Sequence, residues 1–316
     1  MTHQKHRTRI RGYLLALASA TAYAVQGLLF TAINQKYALS PETMVFFRMG
    51  LALLALLMAL LIFRRDWLRI SRHDLPLFIL LGVLGMAAFY LVYARAVILA
   101  GVSVSEVLLF TGPVWVTLYA WRFLGEGFDR YKKLALMGIL VGAALVAQVS
   151  DLGQLGLNLN RGAGIALGLA AGLLYGLYSI LNKYAVQRYS PWTVLLFGTA
   201  IGWPLLGLVQ NPHEIWRALT TPGALPWLLA LALGPSLGAG LLYVASLSYL
   251  PASIASIIAA WEPVVASLLA YLLLGERLTG GQILGAAAIV GSILLLAARN
   301  SEKDQPPAGD SLQKPT

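Results

Sequence analysis

Four ionisable side chains lie inside otherwise apolar stretches of this sequence: Arg48, Arg95, Glu106 and Glu262. Burying such a group in a bilayer costs about 3 kcal/mol on insertion scales, so each one needs a partner, water or a function. Glu262 lies near the middle of its stretch, ahead of Pro263, which frees a backbone carbonyl one turn earlier. Glu262 could therefore bind a coupling proton, bind a substrate amine or cap the backbone at the proline.

The two arginines suggest different roles. The planar guanidinium of Arg48 could hold a substrate carboxylate, or it could neutralise Glu262 or a helix end. Arg95 and Glu106 lie on consecutive apolar stretches, close to a predicted tight turn at Ala100 and Gly101. We expect an ion pair between them that serves as a structural link or a gate, in preference to substrate contact.

Aromatic and amide side chains on the same stretches complete the candidate site. Tyr23 and Tyr175 occupy matching places in two similar halves of the chain and are predicted to line a cavity, with plain packing as the alternative. The predicted substrate-binding residues are Tyr23, Gln26, Arg48, Tyr90, Trp115, Tyr175, Tyr178, Asn182, Trp203, Tyr243, Trp261 and Glu262.

The composition indicates that these residues lie in an all-α polytopic membrane protein. Of the 316 residues, 59% are hydrophobic and 11% are charged, whereas a soluble domain carries about 25% charged residues. Apolar stretches of about 20 residues match the thickness of a hydrocarbon core. We predict ten spans, at 11–33, 41–63, 75–98, 102–122, 132–150, 162–186, 191–209, 224–248, 252–273 and 279–298.

Several function classes are disfavoured by the residues that the chain lacks. It has no cysteine, and its four histidines all lie outside the predicted spans, so no metal or other cofactor is expected. No phosphate-binding loop and no zinc-protease or serine-nucleophile motif occurs. The net charge of +10 is attributed to basic loops at a membrane surface, and no nucleic-acid partner is expected.

The distribution of basic residues predicts the orientation. With the N-terminus inside, 17 of the 23 Lys and Arg residues lie on the inner side, four lie outside and two fall within spans. Because cytoplasmic loops carry an excess of Lys and Arg, both termini are expected in the cytoplasm. The predicted location is the cell (inner) membrane.

The chain repeats itself at an offset of about 150 residues. Ser40 and Pro41 return as Ser190 and Pro191, and other repeated pairs are Pro76 with Pro226, Tyr93 with Tyr243, and Pro113 with Pro263. Each copy holds five predicted spans, an odd number, so the copies must be inverted, which places a binding site between them near the midplane. The predicted division is a cytoplasmic tail at 1–10, a first repeat at 11–150, an external linker at 151–161, a second repeat at 162–298 and a disordered cytoplasmic tail at 299–316.

The ends of the two copies carry the same motif. The segments TGPVWVTLYAWRFLGE at 111–126 and WEPVVASLLAYLLLGE at 261–276 resemble the signature of the EamA domain of the drug/metabolite transporter superfamily. The resemblance implies two EamA repeats, ten helices, a central cavity and export or exchange of small metabolites such as amino acids. Gly112 stands where the second copy has Glu262, so the two halves need not contribute equally. Glu126 and Glu276 are predicted to be turn or capping residues.

The sequence thus favours a secondary transporter, an exporter that works by alternating access and uses a proton gradient or exchange. Its expected partners are a small-molecule substrate, the lipid bilayer and protons as the coupling ion. A channel is the alternative, although no ring of like residues is evident. A membrane-embedded enzyme is less favoured, because no nucleophile or metal constellation lies inside the spans.

Overall fold

The computed structural model describes residues 2–147, 159–274, 277 and 279–303. The regular structure of these residues is helical, and no strand occurs among them. Residues 151–158 of the predicted linker lie outside the described residues, and so do residues 304–316 of the predicted C-terminal tail. Glu276 lies outside them as well.

Thirteen helices are numbered below in chain order along the described residues, with the α and π segments of one continuous helix taken together. They are α1 Thr2–Tyr37, α2 Pro41–Phe63, α3 75–100, α4 Val102–Leu109, α5 Gly112–Phe123, α6 Arg130–Val146, α7 Leu159–Ala185, α8 Pro191–Gly207, α9 Pro212–Thr220, α10 Ala224–Leu247, α11 Ala252–Ala259, α12 Glu262–Leu274 and α13 Gly280–Lys303. Helix α1 begins before the predicted start at residue 11, and α13 continues past the predicted end at residue 298, so the helices reach into both predicted tails.

The described helices fit a polytopic membrane protein. By length and composition, eight helical segments could cross a membrane, or nine if α8 and α9, which are bent by 112°, form one span. The predicted fifth span corresponds to α6, whose 17 residues fall short of the length used for that count. Ten spans therefore stay a prediction.

The repeated Ser-Pro pair starts two equivalent helices. Ser40 and Ser190 precede α2 and α8, and their hydroxyls accept hydrogen bonds from the backbone N–H groups of Thr43 and Thr193. Proline follows at the first helical position in both cases, where its missing N–H is not needed.

The equivalent third helices share an unusual feature. Helix α3 contains a π-helical segment at Leu81–Ala88, and α10 contains one at Ala232–Gly238. Such segments shift the register of the helix and are frequent at functional sites. A second irregularity is a break ahead of the repeated proline, between α4 and α5 and between α11 and α12. Both irregularities lie where the helices face the centre of the bundle.

Equivalent helices of the two halves run antiparallel where they touch. Near one end of the α2–α8 contact, the indole nitrogen of Trp203 donates to the carbonyl of Phe46 at 3.1 Å. Toward the other end, the hydroxyl of Thr193 donates to the carbonyl of Trp67 at 2.9 Å. Later residues of the α2 segment thus contact earlier residues of α8, so the two helices run antiparallel. This agrees with the predicted inversion.

Helices α6 and α13 form a close antiparallel contact through glycine. A Cβ atom added to Gly142 would lie 2.7 Å from the carbonyl oxygen of Gly285, and one added to Gly138 would lie 2.2 Å from the hydroxyl of Ser292. The two backbones therefore approach as closely as small residues in membrane helices permit.

The bundle has two distinguishable ends. One, called here the basic end, carries Arg11, Lys132, Lys183 and Arg299, and the other, called the opposite end, carries the turns at 38–40 and 221–223. At the opposite end, the hydroxyl of Tyr37 donates to the carbonyl of Gly223 at 2.7 Å. The two halves therefore contact each other at the opposite end.

Candidate functional site

A cavity of about 370 Å³ lies between the two halves. Among the residues predicted to bind substrate or act as a gate, those on its wall are Tyr23, Gln26, Arg48, Tyr90, Glu106, Tyr175, Tyr178 and Glu262. The wall also includes residues that were not predicted, among them Phe89, Tyr93, Thr199 and Ser236. Tyr93 could have been found from its spacing, because it follows Tyr90 by three positions and so shares its helix face.

Arg48 is the positively charged side chain on this wall, within the described residues. It is 2% exposed. Its Nη1 donates to Gln26 Oε1 at 3.3 Å and to Ser236 Oγ at 3.0 Å, and its guanidinium carbon lies 4.8 Å from the centre of the Tyr90 ring. These hydrogen-bond partners are all neutral, and Nε has no hydrogen-bond partner, so the guanidinium keeps a free donor.

The π-helical segment of α10 positions one of these partners. Ser236 lies within that segment and donates its own hydrogen to the carbonyl of Leu231 at 2.9 Å. Its oxygen is therefore oriented to accept from Arg48. This contact joins a side chain of the first half to one of the second.

Two carboxylates share the cavity with Arg48. Glu262 is the first residue of α12, where the positive end of the helix dipole favours a negative charge. Glu106 lies in the second turn of α4 and reaches the same cavity. Arg48, Glu106 and Glu262 line one cavity, so the three groups form one charged set.

The predicted ion pair between Arg95 and Glu106 is wrong for this conformation. Both residues are described, no ion pair joins them, and Arg95 does not line the cavity. The chain reverses between them at Gly101, whose φ of 86° is in the left-handed region. This turn leaves Arg95 on an exposed face of α3, whereas Glu106 faces the cavity.

Aromatic rings form much of the remaining wall. Phe89 stacks on Tyr93 with ring centres 6.1 Å apart and lies 5.8 Å from Tyr175. Tyr178 stacks on Tyr243, which is buried behind it, at 6.3 Å. Because the faces of aromatic rings attract cations, this wall suits a ligand with an ammonium group and an apolar body.

The other predicted binding residues do not line the cavity. Trp203 stacks on Phe46 at 5.2 Å between α8 and α2, so it packs helices together. The hydroxyl of Tyr243 is 2.7 Å from that of Ser179, and Asn182 donates to the carbonyl of Tyr178 at 2.7 Å. Tyr243 and Asn182 therefore stabilise the helices that support the cavity wall.

The two remaining tryptophans lie at the helix breaks. Trp115 is 37% exposed and donates to the hydroxyl of Thr111 at 3.3 Å. Trp261 donates to the hydroxyl of Thr21 at 3.2 Å. Each therefore links a broken span to a neighbouring hydroxyl instead of facing the cavity.

The basic end is closed by a polar cluster that joins the halves, called here the basic-end cluster: Glu126, Lys132, Ala252 and Ser253. Lys132 Nζ is 3.1 Å from Glu126 Oε2 and donates to Ser253 Oγ at 2.8 Å. Glu126 accepts from the backbone N–H of Ala252 at 3.0 Å and from the hydroxyl of Ser253. The predicted capping role of Glu126 is confirmed, although the helix it caps is α11 of the other half.

A second contact supports the same closure. Lys183 Nζ donates to the carbonyls of Leu247 and Leu250 at 2.6 Å and 2.8 Å, which ties α7 to the end of α10. All eight residues of α11 are buried. Its repeat counterpart α4 exposes Glu106, so the two copies of this helix differ in burial, and the cavity wall extends to Ala147 at the opposite end.

Comparison with known proteins agrees with this architecture. The EamA-like transporter family model matches twice, at residues 10–148 and 162–298. An uncharacterized transporter of Synechocystis sp. is 30% identical over 221 residues, which cover 67% of this chain and 63% of that protein. The threonine/homoserine exporter of Salmonella typhimurium is 30% identical over 239 residues, which cover 74% of this chain and 75% of the exporter.

A crystal structure of another protein has the same fold. It aligns with a TM-score of 0.76 at 18% identity and covers 92% of this chain and 98% of that one. The likeness extends over the whole bundle, including both repeats. The paired match to the family model shows that this chain is a multi-pass membrane transporter and belongs to the EamA-like transporter family.

Proposed function

We propose that this transporter is a secondary exporter of small amino acids and related zwitterions. The observation that carries the proposal is Arg48, a buried guanidinium with a free donor on the wall of a cavity that also holds carboxylates. An amino acid offers one carboxylate and one ammonium, which complements this pairing of charges. The similarity to a threonine/homoserine exporter supports the same substrate class.

In this proposal the substrate is held at two points. Its carboxylate replaces neutral partners at the Arg48 guanidinium, which is suited to planar, paired hydrogen bonds with carboxylates. Its ammonium contacts Glu262 and the aromatic faces of Tyr90 and Tyr175. The apolar part of the substrate occupies the remaining wall.

Transport proceeds by alternating access. With the basic end in the cytoplasm of the cell, as the charge distribution favours, the described conformation is closed toward the cytoplasm. The different burial of α4 and α11 suggests the second state: exchange of these packing arrangements between the inverted halves would open the basic end and close the opposite one. A bundle closed at one end favours a carrier over the alternative of a channel.

Counterflow of a labelled amino acid in proteoliposomes tests the proposal. We expect saturable uptake of labelled L-threonine against unlabelled L-threonine by the wild-type protein. Arg48→Gln should lower the apparent affinity by about 10- to 100-fold, because it removes a hydrogen bond to a charged group. The matched control is Arg69→Gln, since Arg69 is exposed and lies away from the cavity.

Two results would contradict the proposal. One is unchanged counterflow in the Arg48→Gln variant when that variant elutes as a folded, monodisperse protein. The other is ionic conductance or solute flux that does not saturate, which would favour the channel.

A further inference from the structure

The charges on the cavity wall do not balance. Along the described part of the wall, two carboxylates, Glu106 and Glu262, face one cation, Arg48. Glu106 was expected to pair with Arg95, but Arg95 lies on an exposed face elsewhere. If both carboxylates are ionised, the cavity therefore carries one negative charge in excess.

The groups that face the carboxylate pair come from several helices. Arg48 of α2, Tyr93 of α3 and Tyr175 of α7 line the same cavity as the two carboxylates. The tyrosines are uncharged near neutral pH, so they do not offset the excess charge. A negative charge enclosed in a membrane protein is costly unless a cation accompanies it, and the pair must bind that cation from outside the chain.

We propose that Glu106 and Glu262 together bind one positive charge, either a proton or the second ammonium group of a substrate. The inference rests on the proposed function, because Arg48 must hold the substrate carboxylate. The preferred substrate is then a diamino monocarboxylic acid with a net charge of +1, and it exchanges for one proton. Its carboxylate contacts Arg48, its α-ammonium contacts one carboxylate and its side-chain ammonium contacts the other.

The exchange is balanced in charge and atoms. In the resting state, one carboxylate of the pair carries a proton, and the cavity is neutral with Arg48 and one ionised carboxylate. When the substrate binds, the carboxyl O–H bond breaks and the proton leaves to water on the open side. The net charge of +1 on the substrate replaces the charge of that proton, so the loaded cavity is neutral as well. A zwitterion with no second amine leaves that proton in place. The second charge of the substrate therefore determines whether a proton is exchanged.

Three structurally related probes separate these charges. L-lysine has both ammonium groups and the carboxylate, L-norleucine lacks the side-chain amine, and cadaverine lacks the carboxylate. In proteoliposomes that contain a pH-sensitive dye, we expect L-lysine to be preferred over L-norleucine by about tenfold or more, the factor that one hydrogen bond to a charged group supplies. L-lysine flux should move protons in the opposite direction, and L-norleucine flux should not.

The variant Glu106→Gln tests the pair directly. It should reduce the preference for L-lysine and the accompanying proton movement, whereas Glu42→Gln should change neither, because Glu42 is exposed at the start of α2. Should Glu106→Gln fail to fold, the ratio of protons to substrate in the wild-type protein still decides the question.

The outcomes distinguish this inference from the proposed function. Saturable transport of L-norleucine with no preference for L-lysine, or equal proton movement with both, overturns the carboxylate-pair inference and leaves the proposed function intact. Transport of cadaverine as efficient as that of L-lysine contradicts the role of Arg48 in both proposals. Absence of saturable transport of all three probes overturns the carboxylate-pair inference, whereas L-threonine counterflow decides the proposed function separately.

Discussion

Replacing Glu126 by glutamine should release the closed basic end of the bundle. Glu126 belongs to the first half, whereas Ala252 and Ser253 begin α11 of the second half, so separation of the halves at this end must break their contacts. Glutamine has nearly the same shape and can still accept from the Ala252 N–H, but it loses the charge that attracts Lys132.

The size of the effect follows from the burial of the cluster. The side chains of Glu126 and Lys132 are each 12% exposed, so water weakens their attraction less than it does at a surface, where a pair contributes about 0–1 kcal/mol. With a charged hydrogen bond to Ser253 lost as well, we estimate about 2 kcal/mol. This free energy corresponds to about a 30-fold shift toward a conformation open at the basic end.

The chain has no cysteine, which allows a single-cysteine reporter. Ser256 is 1% exposed in the middle of α11, and Ser256→Cys should react slowly with a membrane-impermeant thiol reagent applied from the basic side. Adding Glu126→Gln should raise that rate by about tenfold or more, and adding Glu42→Gln should not. An unchanged labelling rate, together with a lower thermal stability of the Glu126→Gln protein, would refute the reasoning and leave the cluster with a structural role alone.

Three further predictions concern stability. Gly142→Val should destabilise the fold by about 1–3 kcal/mol, because its side chain would overlap the Gly285 carbonyl, and thermal unfolding in detergent measures this loss against wild type. Gly101→Ala should cost about 1 kcal/mol through backbone strain alone, since φ is 86° and no atom lies within 4 Å of the added Cβ; an unchanged unfolding temperature would contradict it. Burial raises the pKa of Tyr189, so the stability it contributes is complete below about pH 10 and is lost as the pH rises through its folded-state pKa. The Tyr189→Phe protein should lack that alkaline component, and identical alkaline unfolding curves would rule it out.

Much of the architecture could be read from the sequence because it depends on local patterns. Apolar stretches of membrane-spanning length predicted the helices, and the Ser40 and Ser190 pairs with proline predicted two equivalent helix starts, both of which the structure contains. The odd number of spans in each repeat predicted the inversion, and the antiparallel contact between α2 and α8 agrees with it. The ionisable residues Arg48 and Glu262 attracted notice because a bilayer makes isolated charges costly.

The sequence by itself could not decide which side chains share the cavity. A helical pattern fixes the face on which a residue lies, but the neighbour that this face meets depends on how the helices pack. Packing placed Trp203 between α2 and α8 and left Trp115 partly exposed, although both are aromatic residues on cavity-forming spans. It also placed Glu106 and Glu262 on the wall of one cavity that Arg95 does not line.

The difference between the two halves was likewise decided by tertiary structure. Similar repeats predict similar helices, yet α11 is fully buried and α4 is partly exposed. A cavity between inverted halves can be closed at one end and open at the other only if the two halves make different contacts. The sequence therefore determined the spans, the repeat and the family, since these follow from local hydrophobicity and motif spacing. The partners of each charged group, and the end at which the bundle closes, depend on contacts between residues far apart in the chain.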